Sequence, residues 1–342
     1  MKISFLVTYY NQEQYVRKSL DSILAIEKPD EWEILVGDDG SSDQTVEIVR
    51  EYIKEYPQHI KLYVMPRDPN EKYDSVRRAS ANRLNLLEKM TGDIFCTLDG
   101  DDYFCDTNFI CEAENIFIDN IDITIVAFGY RYVLNDQLGK EFILPAGVTN
   151  RRVDKNLFLR KFYLHAGGCV HRKCFDNKRI EYIKQLGYFD DNNIVINSLN
   201  YGEMFAVNRP IYAYRQTGQS VYTSMNELEQ AVLNVQGMDV DMKLMDGAYS
   251  DVIMQRYMKS FILMYIRKKK LISLLGDEKF KKFATGCDSL KPSLCLSILE
   301  YPQIIKPERK KIRKIVENLI KKEPKNTIKL VFKYIIRGLQ NE

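Results

Sequence analysis

The stretch "FCTLDGDDYF", residues 95–104, runs an apolar segment straight into three aspartates, Asp99, Asp101 and Asp102. The apolar half reads as a buried strand. The acids at its end repel one another unless something positive sits among them. What surrounds that strand therefore decides both the fold and the chemistry.

Upstream lie three more compact apolar runs: "KISFLVT" (2–8), "WEILVGDD" (32–39) and "KLYVM" (61–65). The fourth, "DIFCTLD" (93–99), contains the opening stretch. Helical spacing separates them. Val16, Leu20, Ile23 and Leu24 share one face, and Val46, Val49, Ile53 and Tyr56 share another. Asp74 or Ser75 can cap a third helix with Val76, Ala79, Leu84 and Leu87 inward. Repeated strand–helix units predict a parallel sheet with right-handed crossovers. Ligands of such sheets bind beyond the carboxyl ends of the strands. Thr8, Asp38, Asp39, Asp99 and Asp101 all fall on that rim.

From 105 to 225 the pattern is mixed. "DITIVAFGYRYVL" (122–134) and "PIYAYRQ" (210–216) read as strands. Between them come a loop-like "HAGGCVHR" (165–172) and an acidic turn, "GYFDDNN" (187–193). From 226 to 342 the chain reads as helical, and 306–339 carries many more Lys and Arg than acids. Neither an internal repeat nor a low-complexity segment occurs.

The 342 residues exceed what one core of ordinary size needs, so a larger domain with a smaller companion is expected. A net charge of +3 is near neutral for this length and argues against a nucleic-acid binder. The seven cysteines form no CxxC pair, which disfavours a zinc site or a disulfide framework and suits a reducing compartment. Three histidines are too few for a histidine-rich metal site. The N-terminal apolar stretch is too short for a signal peptide, and the run near 260–266 is far below a membrane span. The expectation is a cytoplasmic protein.

Taken in order, "VTYYN" (7–11), "VGDDGSSDQT" (36–45), Arg83 ahead of "TGDIF" (91–95) and "LDGDD" (98–102) resemble family 2 glycosyltransferases of the GT-A fold. The resemblance covers residues 1–222. It implies an α/β fold, GT-A, with a Rossmann-like, mostly parallel sheet flanked by helices. The nucleotide-binding half would span 1–104 and the acceptor half 105–225, with a C-terminal helical extension over 226–342. It further implies transfer of a sugar, with inversion, from a nucleotide-sugar donor such as a UDP-sugar. The acceptor would be a hydroxyl of a surface glycan or its lipid-linked precursor.

The residues carry over one by one. Asp99 would reach the ribose or the metal, and Asp101 would be the main ligand of Mn2+ or Mg2+, with Gly100 allowing the sharp turn between them. Asp102 would cap the next segment or support Asp101. Thr8 and Tyr10 belong to the segment that holds base and ribose. Asp39 corresponds to the aspartate that accepts the uracil N3 hydrogen, and Arg83 to an arginine near the nucleotide. Here the motif reads "ANRLN", so Leu84 stands where an asparagine is usual. Asp191, or else Asp190, would be the base that takes the acceptor proton. His165, Gly167 and Gly168 would border the acceptor, and Arg215 and Ser220 would fold over the diphosphate.

Plainer readings exist for the same residues. The acids after 98 can form a solvated turn, Asp38 and Asp39 can brace theirs, Arg83 can make a surface ion pair, and Asp190 or Asp191 can cap a helix. The basic C-terminal helices are either a solvated face or a peripheral contact with an anionic membrane at the inner face of the cell. A homo-oligomer through these helices is left open. A sugar nucleotidyltransferase would need a Gly-rich basic loop after the first strand, but "TYYNQEQY" has neither glycine nor a basic residue. A non-catalytic nucleotide-binding scaffold is the other rival.

Overall fold

The computed structural model describes residues 1–67, 70, 73–134, 137–144, 146–161, 164–216, 222, 225, 227–249 and 252–253. Ser220 and the basic segment 306–339 lie outside the described residues. The chain divides into two compact units, 1–224 with 243–252 and 225–242 with 253–342. No helix among the described residues is long and apolar enough to cross a membrane.

The first unit opens with β1 (Ile3–Tyr9), α1 (Glu13–Leu24), β2 (Trp32–Asp38), α2 (Thr45–Glu55), β3 (Ile60–Val64), α3 (Ser75–Lys89) and β4 (Ile94–Asp99). Then come β5 (Tyr103–Phe104), α4 (Phe109–Asp119), β6 (Ile123–Leu134), β7 (Gln137–Phe142), β8 (Arg151–Val153) and α5 (Lys155–Lys161). A 3-10 turn at Ala166–Gly168 leads into β9 (Cys169–Arg172), α6 (Asn177–Leu186), α7 (Asp191–Leu199) and β10 (Glu203–Arg215). Helix α8 is Glu227–Leu244.

One sheet holds these strands in the order β3-β2-β1-β4-β9-β6-β10-β5, with β7 on β6 and β8 on β10. The long pairings, β1 with β2 and β4, β2 with β3, and β6 with β10, are parallel. Ile3, Phe5, Val7 and Tyr9 of β1 pack with Val16, Leu20 and Ile23 of α1 and with α2 and α4 in one core. The opposite face carries α3. A Cβ on Gly37 would meet Asn82 Oδ1 at 2.1 Å, and Asn82 donates to the Gly37 carbonyl at 3.0 Å. Covering both faces explains why the first strands are continuous apolar runs rather than alternating ones.

At the end of the sheet away from the rim, buried Glu33 gathers Ser4, Thr91 Oγ1 and the Thr91 amide at 2.7–2.9 Å. Gly92 donates to Ser4 Oγ at 2.9 Å. The "TG" before β4 is therefore a clamp that seats this strand beside β1.

The structure departs from the expected pattern in three places. "HAGGCVHR" is not all loop: residues 169–172 form β9, antiparallel to both β4 and β6. Cys169, Val170 and His171 are fully buried, but four residues after two glycines carry too little pattern to announce a strand. Strand β10 begins at Glu203, well before Pro210, because the register shifts around that proline and pairing resumes. Asp102 is tied to β10 rather than to α4: its Oδ1 accepts from the Arg215 amide at 2.7 Å, and Arg215 Nε donates to the Asp101 carbonyl at 2.8 Å.

Candidate active site

Strand register builds the rim. Thr8 pairs with Gly37 on one side and Asp99 on the other. Thr8 Oγ1 donates to Asp99 Oδ1 at 3.2 Å. The chain then reverses at Asn11, whose φ of 49° is left-handed, a conformation asparagine tolerates. Asn11 Oδ1 accepts from the Ser42 amide at 2.8 Å, and its own amide donates to Ser41 Oγ at 2.9 Å. Asp38 holds the same turn through the Gly40 and Ser41 amides at 2.9 and 2.8 Å. The loops after β1 and β2 are thus one braced ledge.

Gly100 is required by crowding rather than by backbone handedness. A Cβ there would lie 2.0 Å from Tyr9 Cδ1 and 2.5 Å from Gln12 Oε1. Burial, and then repulsion from Asp99, push the Asp101 carboxyl up to about 6. Burial and Asp101 likewise raise Asp102. A divalent cation would relieve this repulsion. No group of three His, Cys, Asp or Glu side chains among the described residues could cage such an ion. Asp99 and Asp101 instead fit the open type of site, in which one or two carboxylates share Mg2+ or Mn2+ with substrate phosphates and water.

Arg83 crosses the cleft. From α3 it reaches Asp99 Oδ1 at 3.1 Å and Asp191 Oδ1 at 3.0 Å. Its side chain is 17% exposed and that of Asp191 21%. The two members of the acidic pair do different work. Asp190 is the N-cap of α7: it accepts from the Asn193 amide, and Asn193 returns a bond to the Asp190 amide, each 2.9 Å. Tyr188 donates to its other oxygen at 2.6 Å. Asp191, one residue into the helix, is left to face the cleft, with His165 Nδ1 3.9 Å from its Oδ2. Burial would raise Asp191, but Arg83 and His165 outweigh it and hold the carboxyl below the usual carboxylate range.

Asp39 lies at the other end of the ledge, buried, with partners the sequence did not suggest. Arg78 Nε donates to its Oδ1, while Tyr73 and Arg67 reach its Oδ2 at 3.3 and 3.4 Å. The Arg67 guanidinium lies 4.2 Å over the Tyr10 ring and 4.5 Å over Tyr73. A carboxylate beside two exposed rings and two guanidinium groups can recognise a flat, hydrogen-bonding ligand.

Of the mid-chain candidates, His165 stacks on Tyr214 with centroids 4.7 Å apart. Gly167 and Gly168 turn over the ring of Tyr212, where a Cβ on either would stand 3.3 Å from it. Arg215 donates to the Asp101 carbonyl at 2.8 Å and lies 4.7 Å over the Tyr15 ring. Thr8, Asp99, Arg83, Asp191 and His165 are therefore linked in one chain of contacts, with Asp101 close enough to Asp99 to be repelled by it, whereas Asp190 turns into its helix.

The model of glycosyl transferase family 2 matches residues 4–175. An uncharacterized protein of Mycobacterium tuberculosis is 25% identical over 50% of this chain and 47% of its own length, so the chain spans about half the length of such relatives. The minor teichoic acid biosynthesis protein GgaA of Bacillus subtilis is 24% identical over 62% of this chain and 47% of its own. In structure, residues 1–349 of S. aureus TarS in complex with UDP-GlcNAc superpose with a TM-score of 0.57 and 16% identity, covering 90% of this chain and 88% of that one. That likeness speaks to the fold, while the matched sequence model takes in β1 through β9 and with them the strand-end acids. The chain belongs to glycosyl transferase family 2.

Proposed function

We propose that this chain transfers a sugar from a UDP-sugar to a hydroxyl group of a surface glycan or its lipid-linked precursor, with inversion and with help from a divalent cation. The observation that carries this reading is the Arg83 bridge between Asp99 and Asp191, which sets donor-side acids and a lone carboxylate across one cleft. The bound UDP-GlcNAc of TarS and the teichoic acid role in the name of GgaA support the donor and acceptor classes.

Asp39, Tyr10 and Thr8 hold base and ribose. Asp99 and Asp101 would hold Mn2+ or Mg2+, which when bound offsets charge on the leaving diphosphate as a Lewis acid. Asp191 accepts the proton of the acceptor hydroxyl as its oxygen forms a bond to the anomeric carbon from behind. The bond from that carbon to the diphosphate breaks, and UDP leaves with its electron pair. Paired with Arg83, Asp191 is a weak base. An incoming diphosphate competes for that guanidinium, and each contact Arg83 gives up raises the proton affinity of Asp191 toward a useful value.

A screen of UDP-sugars with Mn2+, reading UDP release, tests the proposal. The wild type should turn over at least one donor, and Asp191→Ala should still bind UDP while losing transfer. A protein that binds UDP and releases nothing from any donor would be a scaffold.

A further inference from the structure

Strands β6 and β10 carry tyrosines at alternate positions, "YRY" at 130–132 and "YAY" at 212–214. Their parallel register sets Tyr130 beside Tyr212 and Tyr132 beside Tyr214. Alternation puts all four rings on one face. The ring pairs are 5.5 Å apart for Tyr130 and Tyr212 and 6.0 Å for Tyr132 and Tyr214. The inner pair is buried, and the outer pair, nearer the carboxyl ends of the strands, is half-buried. His165 closes the ladder: it stacks on Tyr214, meets Tyr130 edge-on at 5.1 Å, and stands next to Asp191. One imidazole thus separates a tyrosine surface from the lone carboxylate of the cleft.

Resting on the sugar-transfer reading above, we propose that the rings of Tyr132 and Tyr214, backed by Tyr130 and Tyr212, are the platform for a pyranose acceptor. The apolar C–H face of a sugar ring packs against such rings, and its hydroxyls meet the tyrosine hydroxyls. The polar inventory suits this. Tyr130 and Tyr132 hydroxyls bond each other at 3.2 Å, and the buried Tyr212 hydroxyl has no partner among the described residues. A polyol phosphate chain would need cations instead. Alternation turns Arg131 and Arg215, the cations next to the outer pair in sequence, to the opposite face, where they meet Glu141 and the Asp101 carbonyl. The acceptor therefore presents a sugar ring here rather than a phosphodiester.

Saturation-transfer NMR on the full chain with UDP and Mg2+ tests this, using methyl hexopyranosides and N-acetylglucosaminides against ribitol 5-phosphate and glycerol 3-phosphate. At least one pyranoside should show transfer to its ring protons. The signal should fall at least fivefold in Tyr132→Leu and in Tyr214→Leu, and return in Tyr132→Phe and Tyr214→Phe. UDP affinity by calorimetry should change less than twofold in all four, which also reports folding of the donor half. Signals from the polyol phosphates alone, no signal from any pyranoside, or pyranoside signals untouched in both leucine variants would overturn the platform. Failure of the wild type to bind UDP would instead remove the sugar-transfer reading beneath it.

Discussion

Arg83 holds two carboxylates that come from distant parts of the chain, and its contribution can be measured apart from any activity. Arg83→Met keeps the aliphatic bulk and removes the charge, and Asp191→Asn keeps the shape of the partner. The contact is one charge-assisted bond of 3.0 Å between side chains only 17% and 21% exposed. Bonds of this kind contribute about 1.5–3 kcal/mol, and incomplete burial places this one in the lower half of that range. A double-mutant cycle in urea at pH 7 should therefore give a coupling of about 1.5–2 kcal/mol. The pH dependence has a definite sign. Asp191 is held below its unfolded value, so its share of stability is fully present above about pH 4 and is lost as the pH falls through the folded-state value. The coupling should hold from pH 8 to pH 5. A coupling under about 0.5 kcal/mol, at the level of an exposed pair, would refute the bridge as a working part of the cleft.

Three further outcomes follow from single contacts. Gly100→Ala forces a methyl group against Tyr9 and Gln12 and should cost about 1–3 kcal/mol in thermal or urea unfolding, without any change in charge. Asp190→Ala removes the cap of α7 and should destabilise the fold by about 1–2 kcal/mol, whereas Asp191→Ala should chiefly abolish transfer; the reverse assignment would show in the same two assays. His171 is buried against Phe95 and bonded to Ser198 at 3.0 Å, and burial lowers its pKa to about 3. Below about pH 6.5 the unfolded chain takes up a proton that the folded one refuses, so stability should decline by up to about 1.4 kcal/mol per pH unit, and His171→Gln should flatten that slope in urea titrations from pH 7 to pH 5.

Much of the rim was legible because it depends on local pattern. The strand–helix alternation of the first hundred residues places Thr8, Asp39, Asp99 and Asp101 at strand ends, and the sheet has them there. The acidic pair was legible as a helix cap or a catalytic carboxylate; in the structure Asp190 caps α7 and Asp191 pairs with Arg83. What escaped notice depends on long-range partners. Strand β9 is recognisable only by its neighbours β4 and β6. Asp102 finds its partner, Arg215, 113 positions away. The grip of Arg67, Arg78 and Tyr73 on Asp39 comes from a loop and a helix whose own sequences show only ordinary polar residues. The alternating tyrosines were visible as letters, but the register that sets them face to face was not. The asparagine expected after Arg83 is absent, yet Asn82, just before it, is bonded to the Gly37 carbonyl.

At the centre of the proposed function is a cation shared between the acids of residues 99–101 and a diphosphate. Calorimetric titration of UDP, with Mn2+ and again in excess EDTA, tests it most directly on the wild type and on Asp101→Ala. Affinity should fall at least tenfold in the chelator and in the variant. Equal affinity under all these conditions would contradict a shared cation.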